Sequence, residues 1–271
     1  MKTLRTLARY LVPLLPLLLV VLLTACTGIG DVDAPQNTFA PRGEFAREQK
    51  HLFLYAMWPA LAIMILVEGA LIVALIAFRH RRGRGLPKQV HGNPPLEVIW
   101  TLAPLFVLLG LAVPMVSMII DHDRPPSANA LPVKVTGIQW AWQFEYPTIT
   151  DSQGKPLTIL GTPERPAELH IPVGREVALE LTASDVIHSF WVPRLAGKRD
   201  AIPGHTNHLL LVAEEPGTYP GQCAEYCGLL HADMRMIVVV HESEESFRAW
   251  AQQQLAAQAQ SGQGQQQGTA R

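Results

Sequence analysis

The sequence predicts a two-helix transmembrane hairpin followed by an all-β sandwich or barrel. Residues 52–78 and 98–120 are mostly apolar runs, and each is longer than the roughly 20 residues that a helix needs to cross the hydrocarbon core of a bilayer. Downstream of them, short β-rich segments alternate with proline and glycine, which is typical of an all-β domain. A length of 271 residues allows one or two domains.

The chain begins with the pattern of an export signal. Three basic residues precede an apolar run at 11–23, and the run ends in the sequence LTAC. This ending resembles the lipobox of bacterial lipoproteins, in which the cysteine is acylated and becomes the mature N-terminus. We therefore expect a signal peptide at 1–25, lipidation of Cys26 and an exported segment at 26–50. The alternative is an uncleaved membrane helix whose cysteine is incidental.

The connection between the two apolar runs predicts the orientation. The segment RHRRGRGLPKQVHGN, residues 79–93, contains five Lys and Arg, and short basic loops stay on the cytoplasmic side of a membrane. The predicted hairpin, residues 51–123, then leaves the N-terminus and the β-rich domain outside. Glu68 lies within the first span, where it is either part of a proton path or a protonated side chain facing a partner helix.

The β-rich domain is expected at residues 124–245, and it is acidic. It contains nine Lys and Arg against 15 Asp and Glu, a formal charge of −6. Such a surface either steers a basic partner toward the domain or merely keeps it soluble, and its sign disfavours binding to nucleic acid. The tail, residues 246–271, is predicted to begin as a helix and to become disordered where glutamine and glycine dominate.

The segment GQCAEYCGLLHADM, residues 221–234, brings together two cysteines, a histidine and a methionine. In an exported domain two cysteines can form a disulfide, and two cysteines with two histidines can hold zinc. A disulfide does not require His231, nor His188 in the upstream DVIHSFWVP, and zinc has little use for Met234. Thiolate, imidazole and thioether together form a soft ligand set that selects copper. A mononuclear copper site would use one cysteine, whereas two cysteines can bridge two copper ions with a histidine capping each.

These segments, with VTGIQWAWQFEY and KRDAIPGHTNH, resemble the dinuclear copper (CuA) site and the surrounding chain of cytochrome c oxidase subunit II. The likeness runs from the first span to Glu245 and implies a cupredoxin-like Greek-key sandwich. It also implies six ligand residues: bridging thiolates at Cys223 and Cys227, terminal imidazoles at His188 and His231, and weaker ligands at Met234 and the main-chain carbonyl of Glu225. The side chain of Glu225 would also help to hold a Mg or Mn ion shared with subunit I.

The resemblance implies a subunit through which electrons enter a terminal heme-copper oxidase of a bacterial cytoplasmic membrane. Electrons would come from cytochrome c on the periplasmic side and pass to heme in subunit I, where oxygen is reduced to water with proton translocation. Subunits I and III are the implied partners. Trp140 would receive the electron, or else be a core aromatic residue, because alternation along a strand would place it on the same face as Trp142. Glu97 would mark the mouth of a proton channel, or else be a carboxylate favoured by the helix macrodipole. Asp185 and Glu145 would lie near an acidic docking surface.

Three other functions stay open at this point. A similar copper loop could belong to a nitrogen-oxide reductase, although the membrane hairpin and the segment EVIWTLAP favour the oxidase. A membrane-anchored copper store or chaperone would need an exposed, exchangeable metal site. An adhesion domain stabilised by zinc or by a disulfide would contain no copper, so metal analysis separates it from the other functions.

Overall fold

The computed structural model describes residue 34, residues 36–79, residue 89 and residues 91–268, with side chains as far as residue 260. These residues form three α-helices, a short 3-10 helix and ten β-strands. The predicted signal peptide, Cys26 and most of the basic connection lie outside the described residues.

Two long helices, α1 (Glu44–Ala77) and α2 (Pro94–His122), form the predicted hairpin. Their most apolar stretches have mean hydropathy values of 2.7 and 2.4, and no part of either stretch is buried against the rest of the chain. At 1.5 Å per residue, α1 is about 50 Å long. Both helices are therefore long and apolar enough to cross a membrane.

The N-terminal turns of α1 extend beyond the predicted span and join the β domain. α1 begins at Glu44, ahead of the predicted start of the hairpin, because Phe45 is buried in the hydrophobic core of that domain. The Phe45 ring also lies edge-on to His122 at the end of α2, with ring centroids 4.7 Å apart. His122 Nε2 is 2.8 Å from Glu48 Oε2. These contacts hold both helix ends against the β domain.

The β domain is a sandwich of two five-stranded sheets, which confirms the predicted fold class. Its strands are β1 (Leu131–Ile138), β2 (Ala141–Thr150), β3 (Pro156–Leu160), β4 (Ala167–Pro172), β5 (Glu176–Ala183), β6 (His188–Trp191), β7 (Arg199–Ala201), β8 (Asn207–Val212), β9 (Gly217–Cys223) and β10 (Arg235–His241). The strand orders are β3-β2-β1-β5-β8 and β4-β10-β9-β6-β7. Burial alternates along β1 and β5, as expected for strands with one face in the core.

A two-residue turn, Gln139–Trp140, joins β1 to β2, which pair with Ile138 opposite Ala141. Alternation along one uninterrupted strand would place Trp140 and Trp142 on the same face. The turn breaks that alternation, so the expectation does not hold. Trp142 is fully buried in the core, whereas Trp140 is half-buried at the end of the sandwich.

The tail forms a third helix, α3 (Glu244–Gly268), which begins near the start predicted for the tail and extends into its glutamine-rich part. Ser243 and Ser246 cap the start of α3: Ser243 Oγ accepts a hydrogen bond from the Ser246 amide at 3.1 Å, and Ser246 Oγ accepts one from the Ser243 amide at 3.2 Å. Phe247 and Trp250 anchor the helix on the sandwich. Alanine and glutamine, which follow, are good helix formers, so the helix continues beyond this anchor.

A histidine pair lies between α3 and the sandwich. His170 on β4 is 8% exposed, and its ring stacks on Trp250 with centroids 3.9 Å apart. His170 Nδ1 is 2.9 Å from His241 Nε2, and His170 Nε2 is 3.0 Å from Glu168 Oε2. Neutral rings satisfy this arrangement when His241 donates to His170 and His170 donates to Glu168. Burial lowers the pKa of both histidines and so favours these neutral rings.

Acid is expected to destabilise the packing of α3 on the sandwich. Because the folded-state pKa values lie below the usual value of about 6.5, the unfolded chain binds more protons than the folded chain once the pH falls below that value. The stability that depends on neutral histidines is therefore present above the usual pKa and is lost as the pH falls toward the folded pKa. We expect the melting temperature of the full chain in detergent to fall between about pH 7.5 and about pH 5.5, on either side of the usual pKa. The fall should be smaller in His241→Gln, and equal falls in the two proteins would contradict this account.

Candidate metal centre

The cysteine-rich segment lies at one end of the sandwich, between β9 and β10. Cys223 is the last residue of β9 and His188 is the first residue of β6; these strands pair with Phe190 opposite Cys223. The loop after β9 returns through the 3-10 helix (His231–Asp233) to Met234, whose carbonyl accepts a hydrogen bond from the Cys223 amide at 2.9 Å. Strand pairing and closure of this loop bring the two predicted ligand segments together.

The four stronger predicted ligands form a continuous row. Cys223 Sγ and Cys227 Sγ are 3.8 Å apart. His188 Nδ1 is 4.0 Å from Cys223 Sγ, and His231 Nδ1 is 3.6 Å from Cys227 Sγ. Each sulfur therefore has a histidine of its own, and both imidazoles turn the same ring nitrogen toward the sulfurs.

Each of the two weaker predicted ligands likewise lies beside one of the two sulfurs. The carbonyl oxygen of Glu225 is 3.2 Å from Cys223 Sγ, and Met234 Sδ is 3.8 Å from Cys227 Sγ. Met234 is fully buried, whereas the Glu225 residue is exposed. All six residues predicted from the sequence thus lie in one cluster, with Glu225 contributing its main chain.

The sulfur separation fits a metal site and excludes a disulfide in this conformation. A disulfide needs an S–S distance of about 2.05 Å, and these sulfurs are 3.8 Å apart as free thiols. Metal–thiolate bonds of about 2.3 Å allow one ion to contact both sulfurs at this separation. His188, Cys223 and Cys227 present their ligand atoms within 4.8 Å of one another. With the thioether of Met234 beside them, this donor set suits a soft metal such as copper.

The electrostatics of the two thiols favour a cation between them. Burial alone would raise the pKa of Cys223, but the interaction of its sulfur with His188, together with other hydrogen bonds, outweighs burial and lowers the pKa to about 7. Burial and the neighbouring Cys223 thiolate raise the pKa of Cys227 to about 12. Two thiolates this close repel each other, so both are ionised at neutral pH only when positive charge lies between them.

Two glycines make room for the predicted ligands. A Cβ at Gly137 would lie 2.7 Å from Cδ2 of His188, so β1 can pass against the imidazole only without a side chain. Gly228, which follows Cys227, has a φ of +121°, a conformation that favours glycine. A Cβ at Gly228 would also lie 3.1 Å from Gln139 Nε2, so a side chain there would crowd the turn above the loop.

Asp185 orients His188, although the sequence placed Asp185 only near an acidic docking surface. Its Oδ1 is 2.8 Å from His188 Nε2, the ring nitrogen that points away from the sulfurs. Its Oδ2 accepts a hydrogen bond from the Gln139 amide at 2.7 Å. A carboxylate three residues before a metal-ligating histidine is a signal that could have been read from the sequence, because such histidines commonly donate their second nitrogen to a carboxylate.

Replacing Asp185 by asparagine is expected to weaken metal binding without removing a ligand. The carboxylate fixes the tautomer that leaves Nδ1 of His188 free to bind, and losing such a partner typically costs about 10–100-fold in metal affinity. Competition with a copper chelator measures the effect. Glu145→Gln is the matched control, since Glu145 pairs with Lys134 at 3.4 Å. Equal copper affinity in the Asp185 variant and the native chain would show that the hydrogen bond is incidental.

Trp140 contacts the ligand loop directly. Its Nε1 donates a hydrogen bond to the carbonyl of Cys227 at 3.2 Å. Trp142 instead lies edge-on to His188 within the core, with ring centroids 6.0 Å apart. Trp140 is therefore the tryptophan that reaches both the surface and the cysteine loop.

Glu97 lies away from this cluster, in the first turn of α2. Its Oε1 accepts a hydrogen bond from the Asn93 amide at 3.1 Å, and Asn93 Oδ1 accepts one from the Leu96 amide at 3.4 Å. These bonds cap the N-terminal end of α2. The other end of α2, at His122, is the one that meets the sandwich. Glu97 thus has a structural role as a helix cap, whatever else its carboxylate does.

Two known protein families match this chain. Residues 41–118 match the family described as Cytochrome C oxidase subunit II, transmembrane domain. Residues 131–242 match the family described as Cytochrome C oxidase subunit II, periplasmic domain. The two matches cover α1, nearly all of α2 and every strand of the sandwich.

Several individual proteins are similar to this chain. The cytochrome c oxidase subunit 2 of Alkalihalophilus pseudofirmus is 37% identical over 259 residues, which cover 93% of this chain and 70% of the relative. The quinol oxidase subunit 2 of Bacillus spizizenii is 30% identical over 246 residues, which cover 87% of this chain and 71% of the relative. The crystal structure of the periplasmic domain of subunit II of cytochrome oxidase from Bradyrhizobium japonicum is 30% identical, has a TM-score of 0.42, and covers 48% of this chain and 95% of that chain.

Proposed function

The chain belongs to the cytochrome c oxidase subunit II family, and from this premise we propose that it is the subunit through which electrons enter a heme-copper oxidase. The observation that carries the proposal is the ligand cluster, in which two cysteine sulfurs lie 3.8 Å apart and each has its own histidine within 4.0 Å. A quinol oxidase subunit 2 is also among the relatives, so membership alone does not select the electron donor. The ligand cluster lies in the sandwich, beyond the apolar helices. This position favours cytochrome c as the electron donor, because cytochrome c is a carrier outside the membrane whereas a quinol is dissolved in the membrane.

We infer that the cluster holds two copper ions. Cys223 and Cys227 would bridge them, His188 and His231 would each bind one, and the Glu225 carbonyl and Met234 would be the weaker ligands. Bound copper supplies a centre that accepts and donates one electron. The chain itself contributes rigidity. His188, both cysteines and Met234 are each 3% exposed or less. His188 and Cys223 lie in strands of one sheet, and Met234 directly precedes another strand of that sheet. A rigid ligand set limits the rearrangement that accompanies electron transfer.

The proposed partners are subunit I, whose heme would receive the electron and reduce oxygen to water with proton translocation, and subunit III. The apolar side chains of α1 and α2 are exposed along both helices, which supports a place in the membrane beside other subunits. The basic connection at 79–93 supports a cytoplasmic position for that end of the hairpin. The sandwich would then face the periplasm and its cytochrome c. The exposed Glu225 side chain is free to share a Mg or Mn ion with subunit I.

Rapid mixing of the assembled oxidase with reduced cytochrome c tests the proposed function. The copper absorbance should bleach before the heme becomes reduced, because the electron reaches the sandwich first. Copper-depleted enzyme should leave the heme oxidised over the same interval. Heme reduction that precedes copper bleaching, or that proceeds equally fast without copper, would contradict the proposal.

We further propose that Glu97 admits protons in addition to capping α2. Glu97→Gln keeps an oxygen that can accept the bond from the Asn93 amide but removes the titratable carboxylate, so we expect proton uptake and turnover of the assembled oxidase to fall several-fold. Asn93→Ala is the control, since it removes the capping side chain and leaves the carboxylate. If Glu97→Gln turned over at the native rate, only the capping role would remain.

A further inference from the structure

The carbonyl of Cys227 accepts two hydrogen bonds, and both come from the turn between β1 and β2. Gln139 Nε2 donates at 2.7 Å and Trp140 Nε1 donates at 3.2 Å. A carbonyl oxygen has two lone pairs, so the turn satisfies this acceptor fully. The shorter of the two bonds belongs to Gln139.

Gln139 also reaches the other half of the ligand cluster. Its main-chain amide donates to Asp185 Oδ2 at 2.7 Å, and Asp185 Oδ1 lies 2.8 Å from His188 Nε2. One residue therefore connects the histidine of β6 with the cysteine loop after β9. The close approach of the Gln139 side chain depends on Gly228, because a Cβ there would lie 3.1 Å from Gln139 Nε2.

We propose that Gln139 is a positioning residue for electron transfer, which fixes the Cys227 carbonyl and thereby holds the Trp140 indole in hydrogen-bond contact with the ligand loop. The inference rests on the proposed function and deepens it. Two N–H dipoles aimed at the main chain of a bridging cysteine place partial positive charge beside the centre. Such donors favour the form that carries the additional electron, as hydrogen bonds around metal-bound sulfur do elsewhere. Gln139 thus affects both the position of the Trp140 indole, through which electrons arrive, and the reduction potential of the copper centre.

A docking role is the competing explanation, because part of Gln139 is exposed at the surface where cytochrome c would bind. A contact with the donor protein would change the affinity between the two proteins. It would leave the reduction potential of the centre and the rate within the bound complex unchanged. The two roles therefore differ in what they alter.

Gln139→Met in the full chain, assembled with its oxidase partners, separates the two roles. Methionine fills a similar volume but donates no hydrogen bond. We expect the native copper content, a lower reduction potential, and a several-fold slower first-order electron transfer from bound cytochrome c, with little change in KM. Gln153→Met, an exposed glutamine in the turn after β2, should match the native protein in every measurement.

A raised KM with native reduction potential and native kcat would overturn the positioning role in favour of docking. If Gln139→Met failed to load copper, hydrogen exchange of the Trp140 indole N–H in the unloaded chain would decide instead. Faster exchange than in the native chain supports the proposal, and unchanged exchange overturns it. A native chain that took up no copper, or accepted no electron from cytochrome c, would contradict the proposed function. If the native chain worked and Gln139→Met behaved identically to it, only this inference would be contradicted.

Discussion

Replacing Cys223 by serine is expected to abolish electron transfer into the oxidase. The Cys223 sulfur lies within 4.0 Å of His188 Nδ1, the Glu225 carbonyl and Cys227 Sγ, so it is shared by more of the cluster than any single imidazole. Serine offers a hard oxygen donor with little tendency to ionise, and copper sites of this kind need soft thiolates. Copper analysis should show loss of the paired site, and oxidation of cytochrome c by the assembled enzyme should fall to background.

Ser189→Ala provides the matched control for this substitution. Ser189 adjoins His188 on β6 and is fully buried, and its hydroxyl has no hydrogen-bond partner among the described residues. Removing that oxygen should leave copper content and activity near native. A Cys223→Ser protein that kept both coppers and native activity would show that this sulfur is not a bridging ligand.

Replacing Trp140 by leucine is expected to slow electron arrival by more than an order of magnitude while leaving copper content intact. Trp140 contributes no ligand, but its indole spans from the surface to the Cys227 carbonyl. Trp140→Phe keeps an aromatic ring and removes the N–H donor, so its rate should lie between those of the leucine variant and the native chain. The measurement is the first-order rate of copper reduction after mixing with reduced cytochrome c.

Trp250→Phe is the control for the tryptophan series, because Trp250 lies on α3 and stacks on His170. It should transfer electrons at the native rate. A native rate in Trp140→Leu would instead mean that electrons reach the centre by another surface residue.

Local pattern was sufficient to predict the architecture of the fold, and tertiary contacts account for what it missed. The apolar runs are long enough to identify the hairpin, and the breaks between β-rich segments indicate a sandwich or barrel. The start of α1 at Glu44 depends on the burial of Phe45 in the β domain, which no periodicity within the helix reveals. The packing of α3 on the sandwich depends similarly on Phe247 and Trp250.

The proposed ligand cluster could be predicted because its residue types are chemically restrictive and its segments resemble a known copper site, whereas contacts between distant segments could not be predicted. Cysteines, histidines and methionine in this order identify a soft metal site. The hydrogen bond from the Gln139 amide to Asp185 joins segments that lie 46 residues apart in the chain. The different environments of Trp140 and Trp142 depend on a turn that sequence alternation treated as continuous strand.

Electron paramagnetic resonance of the oxidised, copper-loaded chain tests the central claim most directly. With two thiolates bridging the metal ions, the unpaired electron should be shared, and its hyperfine splitting should arise from two equivalent copper nuclei. Splitting from a single copper nucleus, or the absence of any copper signal from a fully loaded protein, would contradict the account.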